Sequence, residues 1–143
     1  MLSVFNKFQK MKNIIKFSIL TFFLSFLVSC DPAQTISFIN KTDSSIKVKI
    51  NLNPKVEHYR LKEVSTGDSI IFNLKRKDTA NIYFGIGTWS DSEIDELTNS
   101  INNIEFETKD IKTIYKSKKA MRTILENNKH GFWIKNDIEI GIE

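Results

Sequence analysis

Beyond residue 34, apolar and polar side chains alternate with a period of two, interrupted at short intervals by turn-forming residues. The clearest case is Ile46-Lys47-Val48-Lys49-Ile50-Asn51-Leu52, with four aliphatic residues on one face and two lysines and an asparagine on the other. Successive side chains of a strand point to opposite sides, so this run predicts a strand buried on one face. Thr35–Asn40 precedes it as a β-rich run, and Lys41-Thr42-Asp43-Ser44-Ser45 is a polar turn between the two. Asn53-Pro54 ends the second strand. Val56–Val64 predicts a third, weaker one. Ser65-Thr66-Gly67-Asp68 then turns the chain into Ser69–Arg76, where Ile70, Phe72 and Leu74 share a face. After Asp78-Thr79, the run Asn81–Thr88 places Ile82, Phe84 and Ile86 together. Ile104–Thr108 and Ile111–Lys116 form a hairpin pattern turning at Lys109-Asp110. In the last segment Phe132, Ile134, Ile138, Ile140 and Ile142 share one face, while Trp133, Lys135, Asp137 and Glu139 share the other.

Two stretches switch to the helical period. Ser90-Asp91-Ser92-Glu93 matches a capping box, in which Ser90 caps and Glu93 reaches back. Ile94, Leu97 and Ile101 follow at helical spacing and predict a short helix over Asp91–Ile101. Ser117 caps a second, Lys118–Asn128, whose Ala120, Met121, Ile124 and Leu125 make one apolar stripe. Gly131 suits its exit. Short strands at roughly ten-residue spacing predict a mainly β fold, a β-sandwich of Ig-like character with two short helices. The alternative is an α+β arrangement with the helices on one face of an antiparallel sheet.

The first 29 residues are patterned differently. Lys12 and Lys16 precede an apolar run from Phe17 to Val28, about 12 residues long. That is short of the ~20 needed to span a bilayer. A positive front, a short apolar centre and a small residue before a cut site are a secretory layout. Leu27-Val28-Ser29-Cys30 resembles the lipobox of bacterial lipoproteins: an apolar residue at −3, a small one at −1, then cysteine. The resemblance implies that the Cys30 thiol receives a diacylglycerol, that the chain is cut before it, and that the new amine is acylated. Acyl chains at ~0.8 kcal/mol per buried CH₂ would make the anchoring permanent. It also implies a place in the cell envelope, outside the cytoplasm, on the inner or outer membrane. Cys30 is the only cysteine, so it has no partner for an internal disulfide. Met1–Lys10 adds little to a signal complete from Met11, and translation from Met11 is the alternative start. The expected organisation is a signal peptide over 1–29, a lipidated tether over 30–35 and a single β-rich domain over 36–143. With its Lys-, Ile- and Asn-rich composition, the chain resembles the small lipoproteins of Bacteroidota in style.

The signal changes the charge balance. Four of the 21 basic residues and none of the 17 acidic ones lie in residues 1–29, so the remainder is neutral. The basic character of the whole chain therefore belongs to the signal, and a nucleic-acid partner is not expected, since that needs a concentrated basic surface on the domain. Lys75-Arg76-Lys77 and Lys116-Ser117-Lys118-Lys119 sit beside turn signals and are expected to be solvated.

Candidate chemistry is sparse. His58 and His130, the two histidines, have no metal-ligand partner at i+2 to i+4, and a zinc site needs three or four ligands. No cofactor is expected beyond the lipid on Cys30. The glycines of Gly85-Ile86-Gly87 are expected to allow a bulge or a close backbone approach. Asp91, Glu93, Asp95 and Glu96 form the densest acidic cluster. Acids in a first helical turn are stabilised by the macrodipole, which accounts for Asp91 and Glu93 without a site. Glu105 and Glu107 alternate on one strand face, as a pair of hydrolytic carboxylates or simply as a solvent side. Tyr83, Trp89 and Trp133 are the candidate ligand-binding aromatics, since an exposed platform stacks on sugars or anchors a protein. The competing expectation is that a second layer, such as the helix Asp91–Ile101, covers them. Together these readings point to a non-catalytic binding or structural module held to the membrane by its lipid, with a protein or glycan partner. An inhibitor or immunity-type lipoprotein is a specific form of it, and an enzyme acting on envelope glycans is the rival class.

Overall fold

The alternating segments pair into two four-stranded sheets. The structure, a computed structural model, describes Ser18, residues 32–131 and residues 135–143. Both sheets belong to the unit Pro32–Glu143. In chain order its elements are β1 (Ala33–Asn40), β2 (Ile46–Leu52), α1 (Tyr59–Val64), β3 (Ser69–Leu74), β4 (Thr79–Ile86), α2 (Asp91–Ser100), β5 (Ile101–Glu107), β6 (Lys112–Tyr115), α3 (Lys118–Asn127), β7 (Lys129–His130) and β8 (Asp137–Ile142). One sheet has the order β4-β1-β8-β7 and the other β3-β2-β5-β6. Neighbours are antiparallel except β1 and β8, which run parallel with Thr35 opposite Asp137 and Asn40 opposite Ile142. Among the described residues no helix is long and apolar enough to cross a membrane.

The expected β-sandwich is what these residues form. Every second residue of each central strand faces inward: Ile36 and Phe38 of β1, Val48 and Ile50 of β2, Ile104 and Phe106 of β5, Ile138 and Ile140 of β8. Phe38 sits at the centre, its ring 6.1 Å from that of Phe72 and 6.2 Å from that of Phe106. Phe38 belongs to one sheet and its two partners to the other, so these rings join the layers. Ile94 and Leu97 of α2 and Met121 and Leu125 of α3 extend the same core.

The connections divide between two ends. The turns β1–β2, β3–β4 and β5–β6 lie at one end, where the Asn40 amide donates to the Asp78 carbonyl and that of Lys41 to Ile142. Lys75-Arg76-Lys77 is exposed there, as expected of a solvated turn. The links carrying α1 and α2 lie at the opposite end, with Ala33. There the Gly87 amide donates to the Pro32 carbonyl and that of Asn53 to Ser100, both at near-ideal lengths of 3.0 and 2.8 Å.

The structure corrects four expectations. Val56–Val64 contains the helix α1, in which only Leu61 is buried. Arg, Leu, Lys and Glu are good helix formers, and one inward residue is all this link needs. Ile86 does not share the face of Ile82 and Phe84: it is 63% exposed. Gln34 pairs with Gly85 but Thr35 with Tyr83, leaving Phe84 as the extra residue of a bulge. Gly85, next to the extra residue, has φ 135°, a backbone conformation that favours glycine. Gly131 does not end the second helix, which stops at Asn127; Lys129-His130 pairs with β8 before Gly131 is reached. Finally, β1 opens at Ala33, so it takes up the last part of the expected tether.

Candidate functional site

The side chains with most chemistry gather where α1, the end of β4 and the start of α2 meet. His58 precedes α1, stacks on Tyr59 at 5.5 Å and meets Phe84 edge-on at 5.4 Å. Phe84 in turn meets Trp89 edge-on at 5.0 Å. Gln34, buried at the start of β1, donates to the Thr88 carbonyl and to Glu93 Oε1, both at 3.2 Å. The capping box forms: Ser90 Oγ accepts from the Glu93 amide at 3.3 Å, and Glu93 Oε2 accepts from the Ser90 amide at 2.7 Å. Burial opposes ionisation of Glu93, but the bonds from Ser90 and Gln34 outweigh it and hold the carboxyl below its usual range. His58 Nε2 lies 4.0 Å from Glu96 Oε1. Burial nevertheless pushes the His58 imidazole below its ordinary value, Arg60 adding to the effect and Glu96 and Glu93 opposing it. His58 Nδ1, Arg60 Nε and Trp89 Nε1 are buried without a hydrogen-bond partner, all in this corner. Beside His58 lies a cleft of only about 60 Å³, between the end of β2 and α1. That is well below the ~300–1,000 Å³ of ordinary small-molecule sites.

The acidic cluster holds α2 to its neighbours. Asp95 pairs with Arg122 of α3, which also donates to Glu126 at 2.7 Å. Asp91 lies 3.7 Å from Lys129 of β7, and Glu96 faces His58. Glu105 and Glu107 lie on the outer face of their sheet. Glu105 accepts from Lys112 at 2.8 Å and from Asn51 at 2.8 Å. The Lys112 bond, with Lys49 nearby, holds its carboxyl below the usual range. Glu107 stands opposite Lys47 and Lys112 in the register. The solvent-side reading of this pair matches its position.

A larger recess lies on the opposite flank, a groove of about 490 Å³ along α3 beside the end of β6. Tyr115, Ser117, Lys119, Ala120, Thr123 and Ile124 line most of it. β6 is an edge strand, so one side of its backbone has no neighbouring strand. The sequence marked Ala120 and Ile124 as part of a buried stripe; only Met121 and Leu125 of that stripe are buried fully.

The expected aromatic platform does not assemble among the described residues. Trp89 is 6% exposed and packs into the core against Phe84, whereas Tyr83 is 49% exposed on the outer face of β4. Trp133 and Cys30 lie outside the described residues. Alternation puts Tyr83 outward, between inward Ile82 and Phe84; past the bulge the chain carries Trp89 back onto the core, which alternation alone does not reveal. His130 is exposed in β7, remote in register from His58. No protein-family model, curated protein or solved structure matches this chain.

Proposed function

We propose that this protein is a lipid-anchored, non-catalytic binding module of the cell envelope. The observation that carries this reading is the groove along α3. Its size suits a ligand or peptide segment, and its lining of hydroxyl, amide, lysine and apolar groups suits recognition. Three of the candidate carboxylates are engaged elsewhere, Glu93 in the capping box, Asp95 with Arg122 and Glu105 with Lys112. The anchor rests on Leu27-Val28-Ser29-Cys30, and Cys30 stands three residues before β1.

The test uses the fragment Asp31–Glu143, which contains the whole sandwich, as bait for envelope proteins and on a glycan array. The expected outcome is a partner that the Thr123→Arg variant no longer captures, since Thr123 is exposed on the groove wall. Capture unchanged by Thr123→Arg, or none by either protein or glycan, removes the groove reading. Hydrolysis of an envelope glycan that disappears when Glu105 and Glu107 are replaced would make the protein an enzyme. Palmitate labelling that survives Cys30→Ser would end the lipoprotein reading.

A further inference from the structure

The end of the sandwich that carries α1 is also the end at which β1 begins. Ala33 pairs with Ile86, the last residue of β4, and Leu52 with Ile101 at the same end of the other sheet. Four large apolar side chains are exposed at this end, Val56 at 39%, Tyr59 at 66%, Val64 at 46% and Ile86 at 63%, while Ile71, Tyr83 and Ile114 are exposed partway along the outer faces of β3, β4 and β6. At the opposite end Ile111, at 67%, is exposed alone. Exposed apolar residues scattered singly are ordinary, whereas a group at one end marks an interaction surface. Tyr59, Val64 and Ile86 belong to two adjoining elements, since α1 packs against β4.

We infer that this end docks against the lipid bilayer, with Ile86, Val64 and Tyr59 reaching the interface. The inference rests on the lipoprotein reading of Cys30 and adds which surface meets the membrane. Only Asp31 and Pro32 separate Cys30 from Ala33. At ~3.3–3.6 Å per extended residue, that places Cys30 within roughly 11 Å of β1. An acyl chain on Cys30 must enter the bilayer, so the end holding Ala33 is confined to the surface while the far turns point away. The surface chemistry fits that confinement. Tyrosine favours the membrane–water boundary because it has an apolar ring and a polar tip. The Arg60 guanidinium lies 4.8 Å over the Tyr59 ring and pairs with Glu63 at 3.2 Å. The groove along α3 lies on the flank of β6 and β7, the sheet edges opposite β3 and β4.

The test uses the lipidated protein in vesicles of phosphatidylethanolamine and phosphatidylglycerol, with nitroxides at Ile86→Cys, Val64→Cys or Ile111→Cys. All three positions are exposed, so the label does not disturb the core, and lipidation leaves no other free thiol. The readout is nitroxide accessibility to oxygen relative to a water-soluble nickel chelate. The expected ratio at Ile86 and Val64 is several-fold above that at Ile111. Equal ratios in protein that floats with the vesicles overturn the docking face and leave the lipid anchor standing. Protein that does not float overturns the anchor and the docking together. Spin–spin broadening at Ile86 that grows with protein concentration assigns the patch to a second copy and overturns the bilayer as its occupant.

Discussion

At the far end Asn40 links two turns through its side chain. It occupies the last inward position of β1, where its side chain is fully buried. Its amide donates to the carbonyls of Ser44 at 2.7 Å, Lys75 at 2.9 Å and Leu74 at 3.3 Å, while its oxygen accepts from the Thr42 amide at 2.9 Å. One side chain thus closes the β1–β2 turn on itself and ties it to the β3–β4 turn. Asn40→Ala removes the donor to the buried Leu74 carbonyl and to the part-buried carbonyls of Ser44 and Lys75, so the variant should lose about 1–3 kcal/mol in urea unfolding. His58 sets the acid response. Its pKa in the folded protein lies below the ordinary 6.5, so the unfolded chain takes up the proton first. Its contribution is therefore complete above that value and lost as pH falls beneath it. Glu93 and Glu105, held below 4.5, lose theirs only on further acidification. The urea midpoint should fall between pH about 7 and 5 in the wild type and stay level there in His58→Gln, both proteins falling together at lower pH. A wild-type midpoint level over that range would show that His58 gains nothing from being neutral. Of these residues only the Ser90–Glu93 box was legible, because its two partners lie within one helical turn of each other. Asn40 looked like the polar end of a strand, since two of the three carbonyls it satisfies come from a turn 34 residues away.

At the scale of elements, legibility follows how local the determinant is. β2 runs over Ile46–Leu52 as its alternation predicts, because both neighbours in its sheet accept a strand polar on one face only. α2 and α3 begin where Ser90 and Ser117 cap them, the Ser117 hydroxyl accepting from the Ala120 amide at 3.1 Å. α1 was missed because a six-residue segment with one buried leucine carries no usable period. β7 was missed for the opposite reason: two residues become a strand only because β8 offers its edge. The bulge in β4 was half legible. The paired glycines signalled an irregularity, but which side chains it turned inward depended on the register against β1. Of the candidate aromatics, Tyr83 lies on the outer face where alternation puts it, while Trp89, beyond the bulge, is turned onto the core.

Over the whole molecule the two sheets are interleaved along the chain. One takes the first, fourth, seventh and eighth strands, the other the second, third, fifth and sixth. No cut therefore separates one layer from the other, and the Phe38 ring meets Phe72 and Phe106 across the layers. The sandwich itself was legible from strand spacing, but this order was not, because alternation marks the buried face and leaves the neighbour unspecified. The parallel pair β1–β8 joins the first and last strands at the centre of one sheet, a contact that closes nearly the full length of the domain. Such non-local pairing rewards the chain only when the rest is in place. The fragment Asp31–Glu143 should accordingly unfold in one transition, with calorimetric and van't Hoff enthalpies that agree near 80 kcal/mol, as expected at about 0.7 kcal/mol per residue. Deleting Asp137–Glu143 removes Ile138 and Ile140 from the core and leaves β1 without its central neighbour. The near-UV circular dichroism of that deletion should be lost entirely. If the β3-β2-β5-β6 sheet kept its own transition after the deletion, the two layers would be independent units, and the single shared core argued from Phe38 would be wrong.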